Sequence, residues 1–182
     1  NANIGAFHNY ANTKIGTNTN SNLVVAAATT STSTTTGALV VPTGGVGIGG
    51  NLTIGGNILQ QSAYYENTSN VTNTGGNLTC NTILAPIFYT NSLTTNVTVN
   101  FANVNSITST ATGFTLIVDQ TATPYTVSNV QVNGIQQPLR WVNGIGGLSP
   151  IGLANNTSII SFSFINLNAG TYRVIAQLSN FG

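Results

Sequence analysis

Aliphatic residues and glycines alternate with a period of two through residues 31–59, STSTTTGALVVPTGGVGIGGNLTIGGNIL. Because a β-strand turns every second side chain to the same face, aliphatic residues of one parity form a single narrow stripe. This aliphatic stripe contains Val46, Ile48, Leu52, Ile54 and Ile58. The opposite parity contains Gly45, Gly47, Gly49 and Gly55. The pattern predicts an extended segment with one apolar face and one face that is largely bare backbone.

A single chain cannot bury such a narrow stripe on its own. Glycine also destabilises a strand unless something needs to approach its backbone closely. Several copies of the chain, packed along a common axis, would supply both the apolar partner and the close approach. We therefore predict an oligomeric, glycine-rich β stem with the aliphatic stripe at its axis.

The rest of the chain is polar but almost uncharged. Hydrophobic residues make up 41% of the 182 residues, whereas the charged residues are only three basic and two acidic ones. They are Lys14, Glu66, Asp119, Arg140 and Arg173. Asn, Thr, Ser and Gly supply the remaining polarity, and these residues favour β structure and turns over helices. With a net charge of +1 and no basic stripe, we expect no nucleic-acid partner.

Few residues of the chain suit catalysis or metal binding. Hydrolysis of glycosides normally needs two neighbouring carboxyl groups, and the chain has only Glu66 and Asp119. His8 is the only histidine and Cys80 the only cysteine, too few for a metal site within one chain. We expect Cys80 to be a small buried residue. The prediction is a protein that is not an enzyme and has no catalytic residue, metal or cofactor.

Changes in composition divide the chain into four segments. Ile4, Phe7, Ala11 and Ile15 follow helical spacing, which indicates either the remnant of a longer coil or a loosely ordered terminus. The motif GGNLT occurs at residues 49–53 and again at 75–79, which is typical of repeated strand–turn units. The predicted segments are a short helical coil remnant at 1–16, a Thr/Ser-rich linker with a short strand at 17–43, the glycine-rich intertwined β stem at 44–84, and a β-sandwich head at 85–182. No apolar run approaches the roughly 18 residues of a membrane span, so we expect no membrane insertion.

The last hundred residues contain strand-length apolar runs separated by turn signals. Asn133-Gly134, Asn143-Gly144 and Ala169-Gly170 are typical turn sequences. We predict an all-β fold with an antiparallel, jelly-roll-like β-sandwich in this part. The predicted strands are 96–104, 114–120, 126–133, 139–143, 158–167 and 172–179. The predicted core is Val97, Val99, Phe101, Phe114, Leu116, Val118, Ile160, Phe162, Phe164, Tyr172, Val174, Ala176 and Leu178.

Aromatic residues are the main candidates for recognition of a neutral ligand. Tyr and Trp stack on sugar faces without requiring charge. Tyr64, Tyr65, Tyr125 and Trp141 are therefore candidate glycan contacts. Burial in the sandwich is at least as good an interpretation of Trp141, because apolar Leu139 and Val142 flank it.

Two regions of the chain carry a resemblance to a known group of proteins. The string ANTKIGTNTNSNLVV and the following TSTSTTTGALVVPTGGVGIGGNLTIGGNI resemble fibre-like virion structural proteins of tailed phages, especially of cyanobacterial myoviruses. The C-terminal strings NVTVNFANV, ATPYTVSNVQVNG, PLRWVNG and TYRVIAQLSNFG are similar to the head of the same group. The resemblance implies a homotrimer on the surface of a virion, in contact with other virion proteins.

Together, these interpretations predict a non-enzymatic, homotrimeric virion fibre or appendage. Its head would attach the fibre to the particle or contact a glycan on the host cell surface. The alternative is a non-viral extracellular filament or adhesin subunit, which an open head-to-tail assembly would distinguish. A glycan-cleaving tailspike is less favoured, because Glu66 or Asp119 would have to meet another acid across subunits.

Overall fold

A computed structural model of the protein describes residues 36, 39, 41, 45–50, 52–60, 62–91, 93–142, 148–168 and 170–182. The chain divides into two compact units, Asn1–Leu59 and Gln60–Gly182. The described residues of the first unit form neither a helix nor a strand. The predicted helical remnant at 1–16, and most of the predicted linker at 17–43, lie outside the described residues.

Ten strands lie in the described part of the second unit, and no helix occurs there. The strands are β1 (Thr68–Asn70), β2 (Asn77–Asn81), β3 (Ile87–Thr90), β4 (Val97–Ala102), β5 (Thr110–Asp119), β6 (Val127–Val132), β7 (Ile135–Gln137), β8 (Leu139–Trp141), β9 (Thr157–Asn168) and β10 (Thr171–Phe181). They form a six-stranded sheet in the order β1-β3-β5-β9-β10-β8 and a four-stranded sheet in the order β2-β4-β6-β7. The prediction of an all-β fold is confirmed for the described residues.

The first six strands alternate between the two sheets. β1, β3 and β5 pair in parallel in the six-stranded sheet, and β2, β4 and β6 pair in parallel in the four-stranded sheet. Thr68 is thus in register with Ile87, which is in register with Thr115. Each pair of successive strands forms one coil, and the coils stack as in a short β-solenoid.

Hairpins complete both sheets. β6 and β7 are joined by Asn133 and Gly134, with φ angles of 52° and 80°. Two positive φ angles are the signature of a type I′ turn, for which Asn-Gly is the preferred sequence. β9 and β10 form a long antiparallel hairpin, and β9 also pairs antiparallel with β5. The predicted turn at Asn133-Gly134 is confirmed. Of the predicted turn Ala169-Gly170, Gly170 lies between β9 and β10 with a φ of 79°, whereas Ala169 and Asn143-Gly144 lie outside the described residues.

Both sheets contribute to one hydrophobic core. Phe101 of the four-stranded sheet stacks on Phe114 of the other sheet at a centroid distance of 5.2 Å. Its ring also meets the edges or faces of Phe162 and Phe164 at 5.1 and 4.9 Å. Of the predicted core residues, all are buried except Leu178, which is partly buried and packs against the core. Cys80 is fully buried as predicted, and burial raises the pKa of its thiol to about 12.

Asparagine side chains bind the backbone at the corners of the coils. Asn133 receives a hydrogen bond from the Val104 backbone N–H and donates one to the Val104 carbonyl, both at 3.0 Å. Oδ1 of Asn81 accepts a hydrogen bond from the Ile83 backbone N–H at 3.2 Å. Because corner residues lack strand partners for their backbone groups, such side chains satisfy them. This explains part of the asparagine content of the chain.

One sequence-based prediction needs correction. The antiparallel, jelly-roll-like pairing is wrong for β1 to β6, whose pairings with one another are all parallel. The short, turn-rich connections between these strands resemble hairpin loops, yet each one carries the chain to the opposite sheet. Residue 84, the predicted boundary between stem and head, lies inside the second unit, where β1 and β2 pair with β3 and β4.

Candidate functional site

The aliphatic stripe is exposed in the single chain. The exposed fractions of its five side chains run from 43% for Ile54 to 75% for Ile58. The described residues from 45 to 60 form no strand. Exposed apolar side chains concentrated in one short segment are typical of an interaction surface. The stripe is therefore a candidate assembly surface.

The glycines beside the stripe have no role that the described contacts explain. A Cβ added at Gly45, Gly47, Gly49 or Gly55 would meet nothing within 4 Å, and the φ angles of these residues lie outside the left-handed region. Gly134 is different, because its φ of 80° itself favours glycine. Neither crowding nor backbone conformation in the described part of one chain accounts for the stripe glycines.

The four candidate glycan-contact residues do not share one environment. Tyr64 and Tyr65, before β1, are 74% and 89% exposed. Tyr125 and Trp141 are partly buried against the core, and they belong to different parts of the fold. Tyr125 precedes β6 of the four-stranded sheet, whereas Trp141 ends β8 of the six-stranded sheet and donates its Nε1–H to Ser149 Oγ at 3.0 Å. Partial burial, the alternative interpretation of Trp141, agrees with this position.

The two acidic residues have different surroundings. Asp119 accepts hydrogen bonds from the Tyr89 hydroxyl at 2.6 Å and from the Thr157 hydroxyl at 2.7 Å. These two bonds lower the pKa of the Asp119 carboxyl, which favours a structural acceptor over a proton donor. Glu66 is exposed in the segment before β1. Within the described residues, no group of three or more His, Cys, Asp or Glu side chains could hold a metal ion.

A pocket with a volume of about 200 Å³ lies beside the β9–β10 turn and the connection from β7 to β8. Its lining residues are Pro138, Arg140, Leu167, Thr171, Tyr172 and Arg173. Two of the three basic residues of the whole chain thus line one pocket. This pair was not among the predicted site residues. The small number of basic residues in the sequence could have drawn attention to Arg140 and Arg173. Only the pairing of β8 with β10 shows that the two arginines are neighbours.

Among the described residues, no helix is long and apolar enough to span a membrane. Comparisons of this chain with protein-family models, with curated proteins and with solved structures give no significant match.

Proposed function

We propose that the protein is a non-enzymatic structural subunit of a virion, a homotrimeric fibre or appendage. It would display its second unit, Gln60–Gly182 (the β unit), for contact with a host surface or with the particle. The observation that carries this proposal is the exposed aliphatic stripe, flanked by glycines for which the described contacts provide no other reason. The number of chains and the location on a virion rest on the resemblance of the sequence to phage fibre proteins.

Assembly through the stripe has a direct physical basis. Burial of apolar surface contributes roughly 25 cal/mol per Å², so five exposed aliphatic side chains per copy are a substantial driving force. Glycines on the opposite parity would let neighbouring backbones approach closely. Such an intertwined stem would separate only when its chains unfold, which suits a rigid spacer outside a cell.

The second unit would make the contacts of the fibre. Its surface has few charges, so neutral polar and aromatic groups would supply individually weak contacts. Tyr64 and Tyr65 are the most exposed of the predicted aromatic contacts. Three copies on one fibre would multiply these contacts through effective concentration.

The absolute mass of the full chain in solution, measured by light scattering, tests the proposal. A species of three chains that dissociates only on unfolding in denaturant is the expected result. A stable monomer contradicts the fibre proposal. A polymer that grows with concentration contradicts the closed trimer and indicates a filament or adhesin subunit instead.

A further inference from the structure

We propose that the pocket lined by Arg140 and Arg173 binds the carboxylate of an acidic sugar. The inference deepens the proposed contact with a host surface and rests on it for its biological meaning. Three features support the inference. They are the two arginines, the pocket that both of them line, and the distribution of charge over the fold.

The two guanidinium groups can reach the same carboxylate of a ligand. Arg140 is in register with Ile175, and Arg173 lies two residues away from Ile175 on the same strand. Ile175 and Arg173 share a face of the sheet because side chains alternate along a strand. With about 4.8 Å between strands and about 3.3 Å per residue, the two arginine Cα atoms are about 8 Å apart. Both side chains are exposed, and both line the pocket.

The acids of the chain lie away from this pair. Asp119 is in register with Thr157 and Arg173 with Ile165, positions separated by about 26 Å along β9 at roughly 3.3 Å per residue. Asp119 is also engaged by Tyr89 and Thr157. Glu66 precedes β1, the strand at the opposite edge of the six-stranded sheet from β8. Two neighbouring positive charges without a nearby carboxylate repel each other, and a bound anion would relieve that repulsion.

The pocket favours a carboxylate attached to a compact ring. Guanidinium groups bind carboxylates with two parallel hydrogen bonds. The lining also includes the apolar residues Leu167 and Pro138 and the polar residue Thr171. The volume of about 200 Å³ is below the roughly 300–1,000 Å³ of most small-molecule pockets, which indicates one terminal sugar unit of a larger glycan.

Tyr172, one of the residues that line the pocket, is held in place by hydrogen bonds. The Tyr172 hydroxyl donates to the Asn105 carbonyl at 3.0 Å, and its backbone N–H donates to Oε1 of buried Gln137 at 3.1 Å. Its ring packs edge-on against Phe164 at 6.4 Å. This part of the pocket therefore needs little rearrangement on binding, which lowers the entropic cost of association.

Calorimetric titration of the full chain with methyl glucuronoside and with methyl glucoside tests the inference, since these sugars differ only at the carboxylate. Millimolar binding of the glucuronoside, with none of the glucoside, is expected. Arg140→Gln and Arg173→Gln should each weaken binding at least about 10-fold, equivalent to about 1.4 kcal/mol. Lys14→Gln causes the same loss of net charge and should leave the affinity unchanged.

Three results with the two glycosides overturn the inference. They are no binding of the glucuronoside at tens of millimolar, equal binding of the neutral glucoside, and affinities that neither arginine substitution changes. Inorganic phosphate is the competing anion, and tighter binding of phosphate than of glucuronoside also overturns the assignment to an acidic sugar. Light scattering on the same samples separates this test from that of the fibre, because a trimer that does not bind the sugar contradicts only the pocket.

Discussion

The Tyr89 hydroxyl donates a 2.6 Å hydrogen bond to Oδ2 of Asp119 and so connects β3 to β5 through their side chains. On the other side of β5, the Thr157 hydroxyl donates to Oδ1 of the same carboxylate at 2.7 Å. Asp119 therefore bridges three neighbouring strands where parallel pairing gives way to antiparallel pairing. We expect this arrangement to make the stability of the β unit dependent on pH in two ranges.

In acid, Asp119 should contribute to the loss of stability. Its pKa is lowered in the fold, chiefly by the bond from Tyr89, so the unfolded chain takes up the proton first. The contribution is present above the ordinary value of 3.8 and is lost as the pH falls through the lowered pKa of the folded state. The midpoint of urea unfolding, followed from about pH 6 to about pH 2, should depend less on pH in Asp119→Asn. Glu66→Gln is the control, and an acid dependence identical in Asp119→Asn and the parent chain would contradict the prediction.

In alkali, Tyr89 should likewise contribute to the loss of stability. The hydrogen bond to Asp119 is the main cause that raises the pKa of the Tyr89 hydroxyl above 10.0. The stabilising contribution is complete below pH 10.0 and is lost as the pH rises through the raised pKa. Tyr89→Phe should therefore reduce the alkaline loss of melting temperature. Part of the alkaline loss of melting temperature should remain in Tyr89→Phe, because burial also raises the pKa of Tyr172. If Tyr89→Phe removed the whole loss, the contribution assigned to Tyr172 would be contradicted.

Phe101 should be among the most sensitive core positions. Its ring packs against four other phenylalanines from the opposite sheet, at centroid distances from 4.9 to 6.1 Å. Phe101→Ala should lower the free energy of unfolding by about 3–5 kcal/mol, because it leaves a cavity between the sheets. Phe181→Ala, at a position 56% exposed, is the matched control and should have a small effect. Chemical denaturation measures both, and equal losses would show that Phe101 does not hold the sheets together.

A charge in the aliphatic stripe should prevent assembly. Val46→Asp or Ile54→Asp would place one unpaired carboxylate per chain at the proposed axis, and burial of an unpaired charge is strongly unfavourable. Thr53→Asp adds the same charge at the opposite parity and should be tolerated. Light scattering on the three variants decides the question, and comparable yields of trimer from all of them would exclude the axial stripe.

Gly47→Ala should distinguish a role within the chain from a role between chains. Inside one chain the new methyl group meets nothing within 4 Å, so the substitution alone should stabilise slightly, by about 0.4–1 kcal/mol. If neighbouring chains approach this backbone closely, the same substitution should weaken assembly instead. Gly134→Ala is the contrasting variant, because its φ of 80° makes the substitution unfavourable within the β unit. If the Gly47→Ala assembly dissociated at the same denaturant concentration as the parent assembly, close approach of neighbouring backbones at Gly47 would be contradicted.

Local patterns in the sequence were sufficient to predict six of the seven strands of the C-terminal half and much of its core, but not the short β7. Alternation of apolar and polar residues identifies buried Phe162 and Phe164 in β9, and Val174 and Ala176 in β10. Asn133-Gly134 predicts its hairpin because few other residues accept two successive positive φ angles. Burial and turn geometry of this kind depend on residues within a few positions along the chain. The identities of these residues can be read directly from the sequence.

Only the tertiary structure decided the partners of β1 to β6 and the composition of the arginine pocket. A short connection with turn residues can lead either into a hairpin or across to the opposite sheet. Which of the two forms depends on which distant strand buries the apolar face of the next strand. That choice paired β2 with β4 and added Leu78 and Cys80 to the core. In the same way, Arg140 and Arg173 are distant in the sequence and become neighbours only because β8 pairs with β10. Contacts between distant segments arise from the packing of the whole core, which no local pattern specifies.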